Sequence, residues 1–205
     1  MKEQKAIPDQ DNWDAWDPAE LSHRLSSVSR PWCVVGGWAL DLWHGTKTRE
    51  HEDLEFTILR EDLHVFRHAL NGMELYAVSD GELQHLTDDQ EPQQEISQIW
   101  CFDNQADCWR ADMMIDLGTD DYWVYKRDRQ IRRLRSEMVA LTASRIPYLN
   151  PSAVLLFKAK YCRAKDEDDF ARALPRLSPS ERIWLKDCLG HLYPGHAWLE
   201  MLSRE

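Results

Sequence analysis

The run Trp32-Cys33-Val34-Val35 ends on the pair Gly36-Gly37, and a helix-forming stretch over 38–44 follows at once. A short apolar run that breaks on two glycines reads as a buried strand entering a turn. Any fold for this chain must therefore place that strand, turn and helix in succession. Glycine allows close approach of the backbone to a ligand, and the start of a helix presents free N–H groups to an anion such as a triphosphate. The helix stops at Gly45, a residue suited to the left-handed position past a helix end.

Asp53 and Glu55 follow, at the head of the stretch 54–59, which alternates apolar and polar residues and reads as a strand. Positions i and i+2 of a strand face the same side, so both carboxylates project beside the glycine turn. Two such groups repel unless a cation neutralises them. Mg²⁺ takes oxygen ligands and commonly joins one or two carboxylates with substrate phosphates. Gly36 and Gly37 are thus candidates to cradle phosphate, and Asp53 and Glu55 to hold Mg²⁺. Together they are the minimum equipment for phosphoryl or nucleotidyl transfer. An exposed edge strand with solvated acids is the plain alternative for the same residues.

The rest of the chain reads as an α+β protein. Asp17-Pro18-Ala19-Glu20 and Ser178-Pro179-Ser180-Glu181 each supply a cap, a proline and an acid in helix-starting order, and Asn150-Pro151 supplies cap and proline. They predict helices over 18–28, 151–162 and 179–191, with another over 62–70. Strands are predicted over 32–35, 54–59, 96–102, 108–117 and 122–125, which makes a mixed central sheet of about five. The acidic segment 79–95 reads as a loop or irregular insertion, and everything after Pro147 reads as helical. The expected division is a polar N-terminal tail over 1–17, an α+β domain over 18–146 and a C-terminal helical segment over 147–205.

Charge narrows the partners. Lys plus Arg number 25 and Asp plus Glu 36, a formal charge of −11. That balance argues against a protein that grips nucleic acid through its phosphates and suits a cationic or neutral partner. No stretch of about 18 apolar residues predicts a membrane span, and the polar N-terminus shows no secretory signal. Five cysteines without a CxxC pattern fit reduced thiols in a cytoplasm.

The combination Gly36-Gly37-Trp38-Ala39-Leu40-Asp41, then Arg49-Glu50-His51-Glu52-Asp53-Leu54-Glu55, resembles the aminoglycoside nucleotidyltransferases. It is most similar to the aminoglycoside 2″-adenylyltransferase-like branch of the DNA polymerase beta-type nucleotidyltransferase superfamily. The resemblance continues through Trp109-Arg110-Ala111-Asp112, Trp123 to Asp128, Ile146 to Pro151 and Lys165 to Phe170, and covers roughly residues 20–200. It departs at Glu55, where relatives usually carry aspartate; the superfamily pattern accepts either acid.

The resemblance implies a nucleotidyltransferase fold and a Mg²⁺-dependent transfer of a nucleoside monophosphate, AMP from ATP, to a hydroxyl of an aminoglycoside-like small molecule. It also implies a third carboxylate on a neighbouring strand, as base or metal ligand. Asp112 matches that place, and Asp116, four residues on, reads as a solvated turn acid. Arg49 and His51, just ahead of the acids, are candidates to face the nucleotide, and Lys158 to bind its phosphates. Asp41 fits either a ligand or an intrahelical role. Trp38 and Trp123 are candidates to line a pocket, although core packing is the ordinary role of most of the ten tryptophans. The acids Asp80, Glu82, Asp88, Asp89, Glu91 and Glu95 either receive a cationic acceptor or form a solvated loop. Two rival readings fit the same motifs: a toxin-like nucleotidyltransferase acting on protein or RNA, and a catalytically weak nucleotide-binding relative.

Overall fold

The computed structural model describes residues 6–204, so the first five residues of the predicted tail lie outside the described residues. Asp17 caps helix α1 (Pro18–Arg24), its Oδ1 accepting from the amides of Ala19 and Glu20 at 2.8 Å each. The helix ends at Arg24, short of the predicted 28, because Ser26 and Ser27 favour turn over helix. Strand β1 (Trp32–Val34) runs into α2 (Gly36–His44), which closes on Gly45 in the left-handed conformation at φ 76°. Strand β2 (Glu55–Leu59) and α3 (Leu63–Ala69) follow.

Then come β3 (Met73–Ser79), β4 (Glu82–Leu86), β5 (Gln98–Asp103) and β6 (Cys108–Asp116). A small hairpin, β7 (Tyr122–Val124) and β8 (Arg132–Leu134), leads through α4 (Arg135–Met138) into β9 (Val139–Leu141) and β10 (Pro147–Leu149). Helices α5 (Pro151–Lys158), α6 (Ala164–Ala173), α7 (Pro179–Leu192) and α8 (Trp198–Leu202) complete the chain.

The main sheet has eight strands in the order β4-β3-β5-β6-β2-β1-β10-β9, not the expected five. It is mixed: β2 runs parallel to β6 and β1 to β10, and the remaining pairs are antiparallel. The acidic segment supplies one of the extra strands. Asp80 and Gly81 both have positive φ, 50° and 80°, the backbone of a two-residue hairpin turn, and β4 folds back on β3. The stretch after Pro147 is likewise not wholly helical, since β10 precedes α5.

One face of β2 presents Phe56 and Ile58 to the core, where Phe56 meets Phe66 of α3 with ring centroids 6.4 Å apart. The opposite face carries Glu55 and Thr57. Residues 9–16 dock beside the first half of β6. The Trp109 amide donates to Asn12 O at 2.9 Å, the Trp16 amide donates to Arg110 O at 3.0 Å, and the Trp109 indole donates to Asp9 O at 2.7 Å. Farther along the same edge the Asp112 amide donates to Leu54 O at 2.8 Å, so the N-terminal segment and β2 share one side of β6 in succession. No helix among the described residues is long and apolar enough to cross a membrane.

Candidate active site

The two glycines make room for different things. Gly36 has φ 64°, which L side chains rarely adopt, and a Cβ there would collide with Oε2 of Glu55. Gly37 has ordinary backbone, but a Cβ there would meet Nη2 of Arg49 and the ring of His51. The diglycine turn is therefore packed by an acid on one side and two bases on the other. No side chain caps the start of α2, so its first amides stay available to an anion.

Asp41 organises the loop that leads to the acids. It is buried, and its carboxylate accepts from Thr48 Oγ1 at 2.5 Å and pairs with His51 Nε2 at 2.6 Å. His51 also stacks on Trp38 at 4.3 Å. Burial lowers the His51 pKa, outweighing the hydrogen bond to Asp41. Arg49 reaches Asp169 on α6 at 3.4 Å and donates to Glu50 O at 3.0 Å.

Glu55 and Asp112 are register partners in the parallel pair β2–β6, so their side chains stand next to each other on one face. Asp53 lies just ahead of β2 and is exposed. Burial raises the pKa of Glu55, and the charge of Asp53 raises it further. Asp112 lies well above the usual carboxylate range, first from burial and then from Glu55. Gln98 donates to Asp112 Oδ2 at 2.5 Å, whereas Asp112 Oδ1 is buried with no hydrogen-bond partner among the described residues. Such an atom beside like charges fits a divalent cation. Among the described residues no group of three His, Cys, Asp or Glu side chains is closed around one point. The acids instead suit an ion that completes its shell with substrate oxygens, as Mg²⁺ does.

A cavity of about 280 Å³ opens beside Gly36 and Glu55. Its walls are apolar at Trp123, Val124, Leu149, Val154 and Phe157, and basic at Lys126, Arg127, Lys158 and Arg163. Lys158 is buried and ion-paired with Asp166 at 3.1 Å and Asp169 at 3.0 Å. Burial pulls the Asp166 pKa up, but Arg163 and Lys158 hold the carboxyl below its usual value. Desolvation holds Lys126 below the usual lysine value, with the adjacent Arg127 adding to the shift.

The structure thus gathers Gly36, Glu55, Lys158 and Trp123 at one cavity, with Asp53 and Asp112 beside Glu55. Arg49, His51 and Trp38 do not line that cavity; they sit behind Gly37. Asp116 is not a solvated turn acid: it is buried, paired with Arg135 at 2.9 Å, and accepts from the Gly118 amide at 2.7 Å. Strand β4, from the acidic segment, lies at the sheet edge with three strands between it and β2. Sequence reasoning missed Lys126, Arg127, Arg163 and Gln98 as residues of the site. The basic pair after the aromatic strand 122–125 was the visible signal for the first two; nothing local marked the others.

A profile of the aminoglycoside-2″-adenylyltransferase family matches residues 19–172. Two crystal structures share the fold at low identity. One is the lincosamide antibiotic adenylyltransferase LnuA with lincomycin bound, 15% identical over 78% of this chain and 96% of that one, with a TM-score of 0.53. The other is ANT(2″)-Ia in complex with adenylyl-2″-tobramycin, 12% identical over 84% of this chain and 95% of that one, with a TM-score of 0.55. A solution structure of the antibiotic-resistance factor ANT(2″)-Ia is 14% identical over 91% and 97% of the two chains, with a TM-score of 0.54. A search of curated proteins found no match.

Proposed function

The chain belongs to the aminoglycoside-2″-adenylyltransferase family and is a nucleotidyltransferase, and from that premise we propose that it moves AMP from ATP to a hydroxyl of an aminoglycoside-like antibiotic. The observation that carries the reading is the Glu55–Asp112 pair, set against Gly36 at the mouth of a basic and aromatic cavity. The triphosphate lies along the amides of Gly36 and Gly37 and the cations Lys126, Lys158 and Arg163. Trp123 and Phe157 offer apolar walls to the base. Arg49 and His51 act from behind Gly37, fixing the turn that meets the phosphates.

Asp53, Glu55 and Asp112 would hold Mg²⁺, which supplies neutralisation of the phosphate charge. Asp112, made more basic by its surroundings, takes the proton of the acceptor hydroxyl. The acceptor oxygen forms its bond to the α-phosphorus as the bond to the β-phosphate oxygen breaks, and pyrophosphate leaves.

The test is pyrophosphate release with ATP and Mg²⁺ in the presence of tobramycin or lincomycin, with the product weighed by mass spectrometry. The expected product is heavier by one AMP moiety. Asp53→Ala should lose turnover by at least about 10²-fold while unfolding at nearly the wild-type denaturant midpoint, because a crowded carboxylate is a stability liability. Near-normal turnover in that variant removes Asp53 from the mechanism.

A further inference from the structure

The cavity beside Gly36 and Glu55 has a far end that the transfer chemistry does not use. Glu55, Thr57, Met114 and Asp116 line it, alternate residues of the register-paired strands β2 and β6 and so on one face of the sheet. Asp116 lies four residues beyond Asp112, about 13 Å at the rise of a strand. That is close to the span of a nucleotide from its α-phosphate to the outer edge of its base. The two ends differ in charge. Lys158, Lys126 and Arg163 are the cations that act on Glu55, whereas the far end holds the buried carboxylate of Asp116. The Gly118 amide donates to its Oδ1 at 2.7 Å and Arg135 Nη1 to its Oδ2 at 2.9 Å. Arg135 is anchored in turn, donating to Thr119 O at 2.8 Å and Tyr122 O at 3.3 Å. These bonds leave the carboxylate able to accept more, since it has about four places to accept. Thr57 Oγ1, on the same face, lies 3.3 Å from Cys33 Sγ. An occupant of this cavity must be anionic at the mouth, apolar where it passes Trp123 and Phe157, and a hydrogen-bond donor at the far end. The cations at the mouth repel a polycationic acceptor, so the donor nucleotide is the molecule that fits.

We propose that Asp116, with Thr57, reads the base of the nucleotide and selects one that carries an exocyclic amine beside an unprotonated ring nitrogen, as adenine does. The amine donates to a remaining lone pair of Asp116, and the Thr57 hydroxyl donates to the ring nitrogen. A 6-oxopurine spoils the first contact, because its carbonyl oxygen faces the carboxylate with no proton between the two acceptors. Asp116 is thus a specificity-determining residue of the transfer and not only the partner of Arg135. The proposal rests on the nucleotidyl-transfer reading and deepens it by naming what fixes the base.

The test compares ATP with purine riboside triphosphate, which lacks only the amine, and with inosine triphosphate, which carries the carbonyl. In the wild type, kcat/KM for pyrophosphate release with tobramycin or lincomycin should be at least about tenfold higher for ATP than for either analogue, and calorimetric Kd values in Mg²⁺ should follow the same order. Asp116→Asn keeps the shape and removes the charge, and the preference for ATP should shrink by about tenfold. A role confined to holding Arg135 would instead lower all three nucleotides by one factor and keep the preference, which overturns the proposal. If the variant does not fold, the wild-type ratios decide. Equal kcat/KM for ATP and purine riboside triphosphate in the wild type overturns the proposal and leaves the transfer reading standing. Tighter binding of ATP than of either analogue, with no transfer to any acceptor, upholds the base assignment and removes the transfer reading. A wild type that binds none of the three ends both.

Discussion

Gly36 and Gly37 are identical in sequence and unequal in consequence. At Gly36 an added methyl meets both a left-handed backbone and the carboxylate of Glu55. Gly36→Ala should cost more than about 1–2 kcal/mol, the backbone penalty alone, and displace Glu55 from the site. At Gly37 the backbone is ordinary and the nearest neighbour is the far end of the long Arg49 side chain, so Gly37→Ala should cost less; urea unfolding of the two variants checks the order. Burial and mutual repulsion of Glu55 and Asp112 have a second outcome. Both groups keep protons in the folded state that the unfolded chain has already released. The stability they contribute is fully present below the ordinary carboxylate range and is lost as pH rises through their raised native values. Without metal the melting temperature should fall across that window, and Mg²⁺ should restore it at neutral pH by binding the ionised pair. A metal-independent melting curve at neutral pH would sink the assignment of this pair to a cation.

Among the elements, those with strong local chemistry were legible before the fold was known. Asp17, Asn150 and Ser178 announced three helices because a cap and a proline act within a few residues, and Gly45 closed the helix after the diglycine turn for the same reason. Strands of three residues carry too little periodicity of their own, and β1 was legible only through the diglycine turn that follows it and β7 through its aromatic residues. Strand β10 was hidden by the helix-start signal at Asn150-Pro151 directly behind it, and β9 by its lack of alternation. The missed hairpin was different: Asp80-Gly81 is a turn signal that the surrounding acids masked. The acid pair at 53 and 55 and the third acid at 112 could be singled out as candidates because a strand's alternation and a family motif both act on them. The fate of Asp116 was not legible, since its partner Arg135 lies in a separate element and is brought near only by tertiary folding. The same applies to Arg163 at the cavity and to Gln98 beside Asp112.

At the scale of the molecule, sheet and C-terminal helices are one body. Leu21 of α1, Phe56 of β2, Leu155 of α5, Leu189 of α7 and Leu202 of α8 belong to a single buried cluster. Asp169 of α6 ties Arg49, near the diglycine turn, and Lys158, at the cavity, to one carboxylate. Unfolding in urea should therefore be one transition, with tryptophan fluorescence and far-ultraviolet circular dichroism giving the same midpoint. A chain ending at residue 146 should fail to fold, because it loses both β10 and the helices that cover the core. Two separated transitions, or a soluble, cooperatively melting truncation, would contradict this. The place of β10 also matters during synthesis. Strand β1, which delivers the diglycine turn, lies between β2 and β10. A growing polypeptide exposes that edge of β1 until residue 149 has emerged from the ribosome, so the segment that builds the nucleotide turn is left open to mispairing with other nascent chains.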